Sequence, residues 1–193
     1  MARPREFDET TALEVAVACF WRRGYEATSM RDLTRSMGIS GPSLYNAFGD
    51  KRALFVAALE RYLDHSTRER IKRLETTLPP KKAIHRFIGE IIERSLSDSE
   101  RRGCFLINSA LEVAPHDPEL GALIADRLGE IEAFFRRSIK AAQSERTVRP
   151  DVVAKDVARL LLGLLLGIRV LARVKPERAL LEGVARPALA LLD

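Results

Sequence analysis

Residues 29–48 read SMRDLTRSMGISGPSLYNAF, and the fold is decided here. Ser29 followed three residues later by Asp32 has the form of a capping box, so a helix starts at this serine. Leu33 and Met37, four apart, give that helix an apolar edge. Gly38 stops it, as a glycine just past the last turn does. Ser40 caps a second helix, and Pro42 falls in its first turn, where proline is tolerated. Leu44 and Phe48 are the buried pair of this second helix, which turns Ser43, Asn46 and Ala47 elsewhere. Two short helices joined by a glycine turn have the form of a helix-turn-helix. The second helix of that motif enters the DNA major groove with its N-terminal residues at the base edges. An ordinary αα-hairpin inside a helical core is the other reading of the same pattern.

Working outward, every segment is helical. Upstream, a helix is expected from about Asp8 to Arg23, with Ala12, Val15, Ala16, Cys19 and Phe20 as its buried stripe and Gly24 as its stop. Trp21 and Tyr25 sit at its exit, Tyr25 packing on the next two helices. Downstream, Asp50 caps a fourth helix, with Leu54, Phe55, Ala58, Leu59 and Tyr62 inward. Its pattern turns polar through HSTRERIKR, so this helix leaves the first core and bridges to the next. The basic run from Arg68 to Arg73 includes Glu69 and reads as a solvated face rather than a second nucleic-acid patch.

Leu78-Pro79-Pro80 is the clearest break. Helices are then expected from Lys81 to Ser97, from Cys104 to Ala114, from Pro118 to the loop QSERTVRP, from Asp151 to Val174, and from Pro176 to Leu192 with a bend at Pro187. The Asp151–Val174 segment is apolar nearly all round in its middle, so it is expected to be buried on more than one side. Gly163 and Gly167 there permit close backbone approach. No strand pattern competes. The expectation is an all-α chain of about nine helices: three in an N-terminal unit at 5–65, one connector, and five in a larger bundle at 66–193.

Composition sets bounds. The 193 residues are 46% hydrophobic and 31% charged, enough to build and cover a real core. Net charge is +5, a mild pointer to an anionic partner. Residues 1–52 hold eight Lys or Arg against seven acids, so the placement of a few cations, not bulk charge, must carry any DNA contact. Two distant cysteines, Cys19 and Cys104, make no disulfide framework. MARPREFDE has no apolar signal core. The longest uncharged run of the apolar C-terminal stretch, Leu160 to Ile168, is nine residues, about half a membrane span. A cytoplasmic protein is expected.

The residues Phe20 to Phe55, FWRRGYEATSMRDLTRSMGISGPSLYNAFGDKRALF, resemble the TetR family of bacterial transcriptional regulators. The spacing from Gly24 through Ser29, Leu33, Gly38, Ser43, Leu44, Tyr45 and Phe48 to Lys51 follows the family pattern without a gap, which favours the helix-turn-helix. RGCFLINSALEVAPHDPEL and LLGLLLGIRVLARV resemble one branch of the family. The resemblance implies a homodimeric repressor with a three-helix DNA-binding head and a helical ligand domain, its last two helices pairing across the dimer through 151–192. It implies that a small molecule in the C-terminal domain shifts the two heads and releases double-stranded operator DNA. By motif match, Ser29, Arg31, Ser40, Gly41, Ser43, Tyr45, Asn46 and Lys51 fall on DNA-contact positions. Many relatives carry a larger aromatic or His at the positions of Asn46 and Ala47, which leaves open which bases are read. The chemistry suits these roles. Hydroxyls, helix N-termini and Lys51 fit phosphates, while Arg31 can pair with guanine and Asn46 with adenine.

Other chemistry is thin. His65, His85 and His116 are scattered, and PHDP reads as a turn with Asp117 capping the next helix, so no metal is expected. No glycine-rich phosphate loop, cofactor motif or catalytic constellation is found. Cys104 follows Arg101-Arg102-Gly103 at a helix N-terminus, features that favour a thiolate, though a small buried residue is the simpler reading. An effector pocket is expected among the helices starting at Lys81, Cys104, Pro118 and Asp151, lined by Phe87, Ile91, Phe105, Leu106, Ser109, Leu123, Phe135 and Leu165. Few charges point there, so the ligand should be mostly apolar. A helical small-molecule-binding protein without DNA-binding activity is the alternative.

Overall fold

The computed structural model describes residues 7–193. The described residues form α1 (Glu9–Arg23), α2 (Met30–Met37), α3 (Gly41–Phe48), α4 (Lys51–Leu63), a π turn (Asp64–Arg68), α5 (Glu69–Thr77), α6 (Pro80–Ser97), α7 (Phe105–Glu112), α8 (Pro118–Ser144), α9 (Ala154–Val174) and α10 (Arg178–Leu189), closed by a 3-10 turn (Ala190–Leu192). No strand occurs among them. α4, the π turn and α5 keep right-handed helical backbone throughout, so ten α segments make nine rods among the described residues. Residues 5 and 6 of the expected N-terminal unit lie outside the described residues.

The head is built from local signals. Asp8 caps α1 by accepting the N–H groups of Thr10 and Thr11. α1 lays Ala16 and Phe20 against Leu54, Phe55 and Ala58 of α4, and Leu33 of α2 and Leu44 of α3 close the same core. Tyr25 packs on the core, its ring against Phe20 of α1 and Phe55 of α4 with centroids at 6.2 and 4.8 Å. The core then continues without interruption into the body, through Tyr62, Leu63, Phe105 and onward to Phe87, Phe134 and Phe135.

Several boundaries differ from expectation. α6 begins at Pro80, using proline's preset φ. Gln143 and Ser144 belong to α8, and the chain turns at 145–153, so α9 starts three residues after Asp151. α10 starts at Arg178 and carries Pro187 inside the helix. The Arg68–Arg73 run is not a simply solvated face. Arg68 forks onto both carboxylate oxygens of Glu130 at 2.7 and 2.8 Å and also reaches Glu60 and Asp64. Arg70 and Arg73 both reach Glu90. α9 buries Leu161, Leu165 and Ile168, while Leu160 stays 46% and Val174 77% exposed. Gly163 and Gly167 meet open space, not another backbone, among the described residues.

Candidate nucleic-acid interface

The two motif helices are self-contained. Ser29 accepts the Asp32 N–H while the Asp32 carboxylate takes the Ser29 N–H, a complete capping box. Hydrogen bonds from the Ser29 hydroxyl and N–H hold the Asp32 carboxyl below its ordinary range. Gly38 adopts the left-handed conformation, φ 68°, that lets the chain leave α2. Ser40 caps α3 by accepting the Ser43 N–H, and the two hydroxyls lie 2.8 Å apart. Each helix end is therefore satisfied from within, and the outward side chains are spared for other work.

Arg31 and Asn46 are exposed, and their side chains make no hydrogen bond or ion pair among the described residues. Tyr45 is 53% exposed, with its ring and hydroxyl free of the core. Gly41 and Ser43 are half-buried at the first turn of α3. Lys51 is fixed from two sides: its Nζ lies 4.3 Å above the Tyr25 ring centroid and 3.4 Å from the Glu26 carbonyl. Arg35 is exposed, four residues after Arg31, and likewise makes no ion pair among the described residues. Sequence reasoning missed it, although two arginines at helical spacing share a face. This set offers one amide, one phenol, hydroxyls and cations on rigid short helices, groups that can contact bases and phosphates.

A polar seam ties the head to the body. The Glu112 carboxylate of α7 accepts the Glu26 N–H at 3.0 Å and lies against Gly24. Gly24 has φ 86° and ψ 172°, and a Cβ there would fall 2.5 Å from a Glu112 oxygen. Arg52 at the start of α4 reaches Asp117 at 3.1 Å and Glu119 at 2.7 Å. The Arg102 guanidinium sits 4.4 Å over the Trp21 ring. Apart from Gly24 as a helix stop, none of these roles has a local signal, because each joins residues far apart in the chain.

Of the eight expected pocket residues, Phe87, Ile91, Phe105, Leu106, Ser109, Phe135 and Leu165 are buried and Leu123 is half-buried. The Phe87 ring packs on Phe134 and Phe135 at 5.2 and 5.4 Å. Phe105 packs on Phe55 and Tyr62 at 5.6 and 5.7 Å, and the Ser109 hydroxyl donates to the Phe105 carbonyl. Phe105 and Ser109 also border a cavity of about 360 Å³ between α1, α7 and the end of α9, walled by Phe20, Trp21, Glu112 and Arg173. The other six do not border it. Cys104 stands at the N-cap of α7, and its sulfur takes the Tyr62 hydroxyl at 3.6 Å.

Residues 12–58 match the family model described as bacterial regulatory proteins, tetR family, and residues 80–187 match the tetracyclin repressor-like C-terminal domain. The chain is 34% identical over 195 residues to the uncharacterized HTH-type transcriptional regulator YezE of Bacillus subtilis (strain 168), covering 100% of both. It is 29% identical over 174 residues to the HTH-type transcriptional repressor ComR of Escherichia coli (strain K12), covering 89% of this chain and 82% of ComR. A solved structure of a cysteine mutant of the regulator CifR, complexed with 26 bp double-strand operator DNA, is similar with a TM-score of 0.88 and 32% identity, covering 99% of this chain and 100% of that one. Both halves of the family pattern are thus present in order, the whole length is shared with a regulator, and the motif helices have the expected form. The chain belongs to the TetR family of bacterial transcriptional regulators.

Proposed function

We propose that this chain is a ligand-responsive repressor that binds a pseudo-palindromic operator as a homodimer and is released by a small effector, and that it is cytoplasmic and not an enzyme. The observation that carries the reading is the state of α2 and α3. Their ends are capped from within, while Arg31, Tyr45 and Asn46 stand exposed and unspent. In this reading the head is residues 5–65 and the body 66–193. Arg31 and Asn46 read bases, and Ser29, Ser40, Gly41, Ser43, Tyr45 and Lys51 fix register on phosphates. Arg35 joins them as a further phosphate cation.

Dimerisation through 151–192 is supported by a stripe on α9. Leu160, Gly163, Gly167, Val170 and Val174 recur at three- and four-residue spacing, the three apolar side chains exposed and the two glycines facing open space among the described residues. Small residues flanked by exposed apolar ones suit close helix packing, and a patch of this kind marks an interaction surface. Two-fold symmetry would then place the two α3 helices about 34–36 Å apart, or a multiple of that. No helix of the described residues is long and apolar enough to cross a membrane.

Fluorescence anisotropy with DNA from upstream of the protein's own coding region tests the reading. Tight binding is expected, with log K falling against log salt at a slope of about −0.9 per phosphate neutralised. Equal, weak binding to upstream and to scrambled DNA would overturn it.

A further inference from the structure

We propose that Arg169 is the receptor for the anionic head of the effector, so that the ligand is a small organic acid with an apolar body. This rests on the effector-responsive reading above and names the chemical class of its ligand. Arg169 lies on α9 in the interior and is 5% exposed. Its guanidinium donates once, from Nη1 to the Ser95 hydroxyl at 3.1 Å, and that hydroxyl is itself committed to the Ile91 carbonyl. Nε is buried without any partner. No carboxylate pairs with Arg169 among the described residues. An interior guanidinium with no counter-charge is costly, and structures pair or hydrogen-bond such groups.

The surroundings deepen the deficit. Arg94, half-buried, makes no ion pair among the described residues. Burial first, then the neighbouring Arg94 and Arg169 guanidinium groups, press the Arg70 pKa down, a sign of how close the three cations stand. Glu90, the acid that Arg70 meets, is already shared by Arg70, Arg73 and Arg86. Asp98 borders the space beside Arg169, but its oxygens are taken by Arg102 Nε and the Gly103 N–H. Burial, reinforced by Cys104, pushes the Tyr62 phenol up, so it stays neutral and supplies no charge.

The space beside Arg169 is about 10 Å³, bordered by Ser95, Asp98, Arg169 and Arg173. That is room for one water-sized group. Arg173 also borders the partly open 360 Å³ cleft, which the Phe20, Trp21 and Phe105 rings line together with the charged Arg22, Arg23 and Glu112. It is an exposed, flexible side chain, held by the Arg101 carbonyl and Asn108. Arg173 bounds both spaces, so its swing would widen the smaller one beyond a single water as it joins it to the larger, and one ligand could then set a ring or short alkyl body in the larger space with its anion on Arg169.

Thermal melting of the full-length protein tests this at fixed protomer concentration and ionic strength, with bromide, acetate, phenylacetate and neutral benzyl alcohol as probes. Phenylacetate should raise Tm by about 3–6 °C at tenfold its Kd, acetate less at equal concentration, and benzyl alcohol least. Arg169→Met should lose the phenylacetate shift while melting no lower than wild type without probe. Arg169→Lys keeps the charge and loses the fork, so it should retain a bromide response and weaken the carboxylate response, which covers the case in which the methionine variant does not fold. Bromide or acetate matching phenylacetate would overturn the organic-acid assignment in favour of a free anion. No shift with any anion in wild type, or an undiminished shift in Arg169→Met, would overturn the site itself. Operator binding without probe, measured alongside, belongs to the repressor reading alone: if it holds while the anion shifts fail, only the Arg169 assignment falls.

Discussion

Gly24→Ala probes the seam between head and body. Gly24 sits at φ 86°, ψ 172°, a region open essentially to glycine alone, and a side chain there costs about 1–3 kcal/mol in backbone strain. The added Cβ also meets both Glu112 oxygens at 2.5 and 2.6 Å. Glu112 is the far end of a flexible side chain, so it will yield, and in yielding it gives up the Glu26 N–H it holds at 3.0 Å. A hydrogen bond to a charged acceptor is worth about 1.5–3 kcal/mol, here about 1 because this bond is exposed to solvent. Gly24→Ala should therefore lower stability by about 2–4 kcal/mol, and Glu112→Ala by about 1. In the double variant the bond is lost only once and the clash is gone, so the two effects should fall short of their sum by about 1 kcal/mol. Urea denaturation of the four proteins at one protomer concentration completes the cycle. Full additivity, within about 0.3 kcal/mol, would refute the idea that Gly24 is glycine in order to admit Glu112.

Arg31→Ala and Asn46→Ala should each cost about 1–3 kcal/mol for the base they read and relax preference at one position per half-site. Lys51→Ala should weaken all sequences alike and lower the salt slope by about 1 for each phosphate it no longer neutralises, and binding selections on the three variants would expose a reversed pattern. Gly163→Arg, which puts a charge into the open stripe on α9, should give a monomer or aggregate by light scattering, and a soluble wild-type monomer at micromolar concentration would contradict the dimer. Hydrogen bonds from Arg68 hold the Glu130 carboxyl below its ordinary 4.5, so its contribution is present above pH 4.5 and is lost as pH falls through the lowered folded value. The stability gap between wild type and Glu130→Gln should accordingly shrink below pH 4.5, and a gap unchanged down to about pH 3 would remove Glu130 from the acid response.

The head was legible because its signals are local. Ser29 with Asp32, Gly38, Ser40, Pro42 and Asp50 each act within three or four residues, and each does in the structure what its residue type suggests. The body was legible as helices but not as a set of partners. Nothing near Arg68 in sequence announces Glu130, 62 residues away, and nothing near Gly24 announces Glu112. A buried aromatic row, likewise, does not say whether it encloses space. Phe87 and Phe135 fill the interior against Phe134, whereas Phe105 fills it on one side and borders a cavity on the other. Periodicity gives the inward direction of a side chain but not the distance to whatever it meets.

The π turn shows most clearly why the polar connector could not be read from periodicity. Along α4 the buried positions run Phe55, Leu59, Tyr62 and Ser66 at steps of three or four. A continuous α-helix would next bury positions near 70 and 73, which are Arg70 and Arg73. The Glu69 N–H bonds instead to the Asp64 carbonyl, five residues back, which adds one residue to the turn. The phase advances by one, and the step from Ser66 goes to Ile71 and then Leu74, both buried. Arg70 and Arg73 are thereby carried to the edge of the interface, where Glu90 of α6 meets both. A one-residue shift of this kind turns everything beyond it by about 100° and advances it by about 1.5 Å relative to the head. The same turn therefore sets both which side chains the body buries and how the head is aimed, and Arg68, its last residue, is pinned by Glu60 and Asp64 on its own rod and by Glu130 on α8. The clamp therefore ties the connector to α8 directly, as the Glu112 seam ties α7 to the head.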